Sequence, residues 1–427
     1  MKYSDPIKII LKNKLINNKI YLPLSKSICN RVLMIHAYTN SNIKNLDISD
    51  ADDSILLKQH LLSIINNERN NSLNTITKID CKNAGTVIRF LLPYLSLLKK
   101  EYVLTGSERM QSRPIGALVD SLKNIGAEIK YLDKTGFPPI KVSPGKIEPK
   151  NIEIDTNQSS QFASALLMCL PIIQNESTVL INNKKSSWPY IEMTLKIMAD
   201  FGIKYTIEEN TISIKGSYKA ATEDFFIESD WSSSSYWYQT LAIKGKGELF
   251  LKGLKKDSIQ GDKKTAEIFH LLGIETSQKE DGILIKNTGI INDNIKVDFS
   301  NIPDLAPAVI CTCAAMNINC IFTGLHSLNI KESRRIDVIQ EGLKKLGYDL
   351  KMDDSDNYSL VKDTNSSLNI EKDFSSITIN SYNDHRMVMA FAPFALIGKS
   401  INITQPFAVN KSYPEFWNEF SKIVELK

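Results

Sequence analysis

The sequence predicts an α/β protein of two domains built from about six related repeats, and three observations carry that prediction. A polar, small-residue opening runs straight into an apolar stretch of helix length six times: KSICNRVLMIHAY from Lys26, NAGTVIRFLLPYL from Asn83, SSQFASALLMCLPII from Ser159, SSSSYWYQTLAI from Ser232, DLAPAVICTCAAM from Asp304 and DHRMVMAFAPFAL from Asp384. An amphipathic helix closed by glycine and followed by a short strand recurs as SLKNIGAEIKYL, TLKIMADFGIKYTI, TAEIFHLLGIETS and VIQEGLKKLGYDLKM. Its glycines, Gly126, Gly202, Gly273 and Gly347, stand roughly 71 to 76 residues apart, room for one compact α/β repeat. Finally, 427 residues exceed what one core usually holds, and three repeats per domain divide the chain evenly.

Each repeat should hold one buried helix, one exposed amphipathic helix and strands between them. The openings are rich in Ser, Thr, Asn, Asp and Gly, the residues that cap helices. A buried helix with such an end directs unpaired N–H groups and partial positive charge at whatever lies before it, which suits polyanions. Between repeats, GFPPIKVSPGKIEPKN (ending near Asn151) and KKDSIQGDKK (from Lys255) read as loops. INNERNNSLNT from Ile65 reads as an exposed loop without chemistry.

The net charge of +4 is too small and dispersed for nucleic-acid binding, and the abundant Lys, Asn and Ile fit a compositional bias that leaves single surface lysines solvated. Charges interrupt the N-terminal MKYSDPIKIILKNKL, and Asn317 and Asn319 interrupt the apolar stretch from Leu305 to Leu325. The expectation is a cytoplasmic monomer with no membrane or nucleic-acid partner. The six cysteines form no CxxC pair or His/Cys cluster, so free thiols and no metal are expected.

PLSKSICNR puts Lys26, Ser27 and Arg31 in the first turns of a buried helix, where cations oppose the macrodipole and call for an anion. The bland alternative is a capped helix with solvated basic residues. In NAGTVIRF, Asn83, Gly85 and Thr86 form a tight turn open to a ligand, with Arg89 one turn on; Arg113 then stands before Pro114, where a helix should start. An arginine there can grip phosphate or carboxylate bidentately. SSQFASALL and SSWPYIEMT add neutral donors: Ser159, Ser160, Gln161, Ser187 and Tyr190.

The C-terminal half adds acids: Asp304 in IPDLAPA, Lys331, Glu332 and Arg335 in IKESRRID, Asp384, His385 and Arg386 in YNDHRMVM, and Lys411 in NKSYPEFW. Carboxylates among cations suggest proton transfer, because a pure polyanion binder gains nothing from like charge. The competing readings are an N-cap for Asp304, a surface ion pair with Lys331 or Arg335 for Glu332, and a structural histidine for His385.

In order, PLSKSICNR, NAGTVIR, RPIGALVDSL, SSQFASALL, SSWPYIEMTL, IPDLAPA, IKESRRI, YNDHRM and NKSYPEFW resemble the enolpyruvyl transferase family across nearly the whole chain, most closely its branch acting on shikimate 3-phosphate. The resemblance implies a two-domain inside-out α/β barrel of three βαβαββ repeats per domain. One domain would run over 23–228 and the other would combine 1–22 with 229–427, with the site in a cleft between them. The implied reaction moves the enolpyruvyl group of phosphoenolpyruvate to the 5-hydroxyl of shikimate 3-phosphate, without metal or organic cofactor.

By the same resemblance, Lys26, Ser27, Arg31, Ser159, Ser160, Gln161, Ser187, Tyr190, Asp304 and Lys331 would contact shikimate 3-phosphate. Lys26, Asn83, Gly85, Arg113, Gln161, Arg335, Arg386 and Lys411 would hold phosphoenolpyruvate. Asp304 would take the hydroxyl proton, and Glu332 would serve the methylene carbon, alone or with Lys26 or His385. The chain departs from the family pattern at Leu24, Cys29, Phe90, Trp188, Ser327 and Arg334. Rival readings are the sister branch acting on UDP-N-acetylglucosamine, which would carry a cysteine near Glu108–Pro114 where none stands here, and a non-enzymatic phospho-ligand sensor.

Overall fold

The computed structural model describes residues 3–12, 17–69, 76–148, 152–182, 187–219, 225–292, 295–362, 377–398 and 400–427. The chain divides into two compact units, a continuous one, Lys26–Ile227, and a split one, Met1–Ser25 with Glu228–Lys427.

Two strands, β1 (Ile7–Leu11) and β2 (Asn17–Tyr21), come first and belong to the split unit. Helices α1 (Lys26–Tyr38) and α2 (Asp52–Arg69) open the continuous unit. Two repeats of one layout follow. The first is β3 (Thr77–Asp80), α3 (Gly85–Ser96), β4 (Tyr102–Thr105), the short α4 (Glu108–Gln111), α5 (Gly116–Asn124), β5 (Glu128–Tyr131) and β6 (Ile140–Ser143), with sheet order β3-β4-β6-β5. The second is β7 (Ile152–Asp155), α6 (Ser160–Ile173), β8 (Glu176–Asn182), α7 (Trp188–Asp200), β9 (Lys204–Glu208) and β10 (Thr211–Lys215), ordered β7-β8-β10-β9.

The split unit repeats the plan with α8 (Trp231–Lys244), β11 (Glu248–Lys252), α9 (Thr265–Leu271), β12 (Ile274–Lys279) and β13 (Gly282–Asn287). Its missing first strand is β2, parallel to β11. Next come β14 (Ile295–Asp298), α10 (Ala306–Met316), β15 (Cys320–Thr323), α11 (Arg335–Lys345), β16 (Tyr348–Met352) and β17 (Tyr358–Lys362), ordered β14-β15-β17-β16. The last repeat has β18 (Thr378–Ile379), α12 (His385–Phe391), β19 (Ser400–Ile403), α13 (Phe416–Phe420) and β20 (Val424–Leu426), and β1 lies between β19 and β20. Among the described residues five sheets have this plan; the repeat that opens with α1 and α2 contributes helices without a sheet of its own.

In every sheet the first two strands are parallel, which requires a crossover; in four the apolar helix supplies it, and between β2 and β11 the chain runs through the continuous unit before α8. These helices are buried all round: α6 exposes almost none of SQFASALLMCLPII. In the continuous unit α1, α3 and α6 pack on one another, and in the split unit α10 packs on both α8 and α12. The second helix of a repeat is one-sided, as in α11, which buries Ile336, Ile339 and Leu343 and ends in Lys344 and Lys345. Gly126, Gly202, Gly273 and Gly347 each follow such a helix with positive φ, a left-handed closure that turns the chain into the next strand.

Three expectations are corrected. Ile65 to Arg69 extend α2 rather than opening a loop, because Leu61 and Ile64 keep its apolar face in the core; 70–75 lie outside the described residues. The stretch ending near Asn151 contains β6, whose alternating Ile140 and Val142 are buried, and 149–151 are not described. Pro114 does not begin a helix: α5 starts at Gly116.

Candidate active site

In the continuous unit the openings of α1, α3 and α6 meet through hydrogen bonds. Arg31 is buried, and its guanidinium donates from Nε to Thr194 Oγ1 (2.7 Å), from Nη1 to the Ser27 carbonyl (2.8 Å), and from Nη2 to Ser164 Oγ and the Tyr190 carbonyl (both 3.2 Å). Arg89 donates to Gln161 Oε1 (2.8 Å), whose amide donates to Thr86 Oγ1 (2.9 Å). Neither arginine has a carboxylate within ion-pair distance among the described residues. Burial lowers the Arg31 pKa to about 10, and burial with neighbouring Arg113 holds Arg89 well below the ordinary arginine range.

Gly85 shows why the NAGT turn needs glycine. A Cβ there would stand 2.7–2.9 Å from the Arg113 guanidinium, which therefore lies against the first turn of α3. Ser159 caps α6 by accepting from the Gln161 N–H, Ser160 and Ser187 are buried, and Ser187 opens α7 at φ 58°. Lys26 lies 3.1 Å from Asp53 Oδ2, so α2 already supplies an anion for it. Lys26 is thus neither solvated nor dependent on a ligand for charge balance.

In the split unit the acids and bases form one network. Asp304 holds Arg335 (3.2 Å) and Arg386 (2.7 Å). Glu332 holds Lys411 (3.0 Å), Arg335 (3.4 Å) and His385 Nδ1 (2.9 Å). Asp384 accepts from Arg335 Nε (2.8 Å) and Ser333 Oγ (2.9 Å) while capping α12 through the Arg386 N–H (3.0 Å). Burial alone would raise Glu332, but Lys411, His385 and Arg335 outweigh it and hold its carboxyl well below the usual range. Asp384 is likewise depressed, burial being outweighed chiefly by Arg335; Arg335 is raised because Asp384, Glu332 and Asp304 overcome its own burial. Asp262 goes the other way: burial, then the charge of Asp304, push it up to about 7, and it accepts a hydrogen bond from Ser232.

The profile of the EPSP synthase (3-phosphoshikimate 1-carboxyvinyltransferase) family matches residues 10–420. The chain belongs to the EPSP synthase family. It is 39% identical over 411 residues to the 3-phosphoshikimate 1-carboxyvinyltransferase of Bacteroides fragilis strain YCH46, covering 94% of each chain. It is 34% identical to the same-named protein of Buchnera aphidicola subsp. Cinara cedri, covering 96% of this chain and 95% of that one. EPSP synthase from Acinetobacter baumannii shares the fold at a TM-score of 0.75 and 21% identity, covering 99% of this chain and all of the other.

Within this member of the EPSP synthase family, one alternative raised by the sequence falls. Asp304 is not an N-cap: it lies in the 3-10 turn Pro303–Leu305, and α10 begins after it without a side-chain cap. Glu332 does pair with Arg335, as its alternative reading had it, though mostly buried rather than on the surface, and His385 is buried against it, an environment that a structural histidine shares. Lys331 ends the turn His326–Ile330 beside Glu332. The departure at Arg334 points to solvent and pairs with Asp337 on its own helix, while Trp188 donates to Glu192 (3.1 Å).

Residues that pattern reading missed are Asp53, Ser164, Thr194, Asp262 and Ser333. Asp53 carried a faint signal, an acidic run DADD that a lysine at a helix start would need as partner. The others look like ordinary helix serines, threonines or loop residues until the fold brings them in. Glu332, Asp384 and His385 come close enough to cage a cation, yet Arg335 and Lys411 already take the carboxylate oxygens and would repel a dication. The trio is a salt network. Among the described residues no helix is long and apolar enough to cross a membrane.

Proposed function

We propose that the protein transfers the enolpyruvyl group of phosphoenolpyruvate to the 5-hydroxyl of shikimate 3-phosphate and releases phosphate. The observation that carries this reading is the pairing of Asp304 and Glu332 with Arg335, Arg386, Lys411 and His385 in a chain that matches the EPSP synthase family from residue 10 to 420. Protonation of the methylene carbon makes C2 electrophilic, the hydroxyl adds to it, and the tetrahedral adduct loses a proton and phosphate. Glu332, held ionised by Lys411, His385 and Arg335, serves the methylene carbon as base, and the proton delivered there comes through it from His385 or from Lys26. Asp304, held in place by the guanidiniums of Arg335 and Arg386, takes the hydroxyl proton.

Arg31, Ser27, Ser159, Ser160, Gln161, Ser187 and Tyr190 bind shikimate 3-phosphate, with Lys26 and Lys331. Asn83, Gly85 and Arg113, with Arg335, Arg386 and Lys411, hold phosphoenolpyruvate. Cationic side chains and helix-start N–H groups suit both phosphates. The test is phosphate release from phosphoenolpyruvate by the purified protein with shikimate 3-phosphate or UDP-N-acetylglucosamine as acceptor. Release with shikimate 3-phosphate alone is expected. Release only with the nucleotide sugar, or with neither, would overturn the reading.

A further inference from the structure

Arg31 and Arg89 pose a problem that the reaction leaves open: a buried cation bonded only to neutral oxygens is costly, and cations so buried usually have a carboxylate. The structure supplies something else. The Arg31 guanidinium lies over the ring of Phe90, 5.4 Å from its centroid, and the Arg89 guanidinium lies over Phe162 at 5.2 Å. Both rings are fully buried, on α3 and α6. The two sandwiches link the three helices in series, Arg31 of α1 on Phe90 of α3, and Arg89 of α3 on Phe162 of α6. We propose that Phe90 and Phe162 are positioning residues that take the place of carboxylates under Arg31 and Arg89, keeping both guanidinium charges open to the anionic groups of the substrates.

The negative face of an aromatic ring stabilises a cation most where water is excluded, as here. Unlike a carboxylate, the ring carries no net charge and leaves the guanidinium able to attract an anion. The arrangement also accounts for Phe90, one of the positions where this chain departs from the family pattern. A ring placed directly after Arg89 serves the arginine of a different helix.

The inference rests on the functional reading only for which anion binds. In the full-length protein, phenylalanine at position 90 is replaced by mono-, di- and pentafluorophenylalanine, which keep the shape and drain the ring face. Phe322, which packs against Phe299, is the control position. The melting temperature without ligand should fall stepwise with fluorine at position 90, by roughly 2–8 °C in all, with no such gradient at 322. A flat series at 90 would overturn the proposal.

The second arm restores a carboxylate. Ser164 Oγ lies 3.2 Å from Arg31, so Ser164→Asp brings a negative charge to that guanidinium and Ser164→Asn brings the same bulk without it. Shikimate 3-phosphate, titrated calorimetrically, should bind Ser164→Asp about 30-fold or more weakly than Ser164→Asn. Equal affinity in the two variants would overturn the proposal, and the fluorine series decides it if neither variant folds. Wild-type protein that failed to bind shikimate 3-phosphate would overturn the functional reading instead, with the fluorine series still judging the rings.

Discussion

Arg31 in the continuous unit and Arg335 in the split unit are equally buried, at 2% exposure each, yet their surroundings are opposite. Arg31 meets hydroxyls, carbonyls and a ring; Arg335 meets three carboxylates, from Asp304, Glu332 and Asp384. Burial therefore lowers the pKa of Arg31, while its acid partners raise that of Arg335. The difference lies in what answers each buried charge. Arg31 is held by neutral partners alone, whereas Arg335 is fixed among carboxylates and lowers the cost of their charge.

The comparison breaks most readily at Glu332. Glu332→Gln keeps the size and removes the charge that Lys411, His385 and Arg335 hold, so turnover should fall by about 10²–10⁴ while shikimate 3-phosphate affinity stays within tenfold. Steady-state kinetics with calorimetry on the same preparation checks this. A smaller effect sharpens the other side: Arg113→Ala should raise KM for phosphoenolpyruvate by roughly 10- to 100-fold, the worth of a charge-assisted bidentate contact. The KM for shikimate 3-phosphate should move much less, and equal losses would remove the distinction.

The smallest effect is on stability. Asp262 is held near 7 in the folded protein against roughly 3.9 in an unfolded chain, so between those values the folded state keeps a proton that the unfolded state has lost. Its contribution is complete below about pH 4 and declines as pH rises toward 7, by on the order of 2–4 kcal/mol. Asp262→Asn removes that decline. Urea denaturation at several pH values should show a flatter profile than wild type across the window, and an unchanged slope would count against a buried, protonated Asp262. Glu332 and Asp384, both depressed, act in the opposite sense, stabilising above the ordinary carboxylate range and losing this as pH falls further.

Much of the architecture was legible because repetition multiplies weak signals. Six apolar runs after polar openings mark α1, α3, α6, α8, α10 and α12, and four glycines mark where α5, α7, α9 and α11 turn into strands. What could not be read was partnership across long separations. Nothing local in NNKIY says that β2 pairs with β11, more than 220 residues away, and nothing in QGDKK says that Asp262 is buried beside Ser232. The same limit governs the site. Charged residues announce themselves by type, but that Lys26 is answered by Asp53 while Arg31 has only neutral partners depends on which side chains the fold brings within 4 Å. Phe90 was visible only as a departure; its ring under Arg31 is a tertiary fact.

The proposed role of Asp304 in proton transfer is tested most directly by Asp304→Ala, with turnover and shikimate 3-phosphate dissociation constant measured on one preparation. Turnover should fall by about two or more orders of magnitude with the dissociation constant within about tenfold of wild type. Turnover unchanged within twofold, or affinity collapsing in step with turnover, would contradict it.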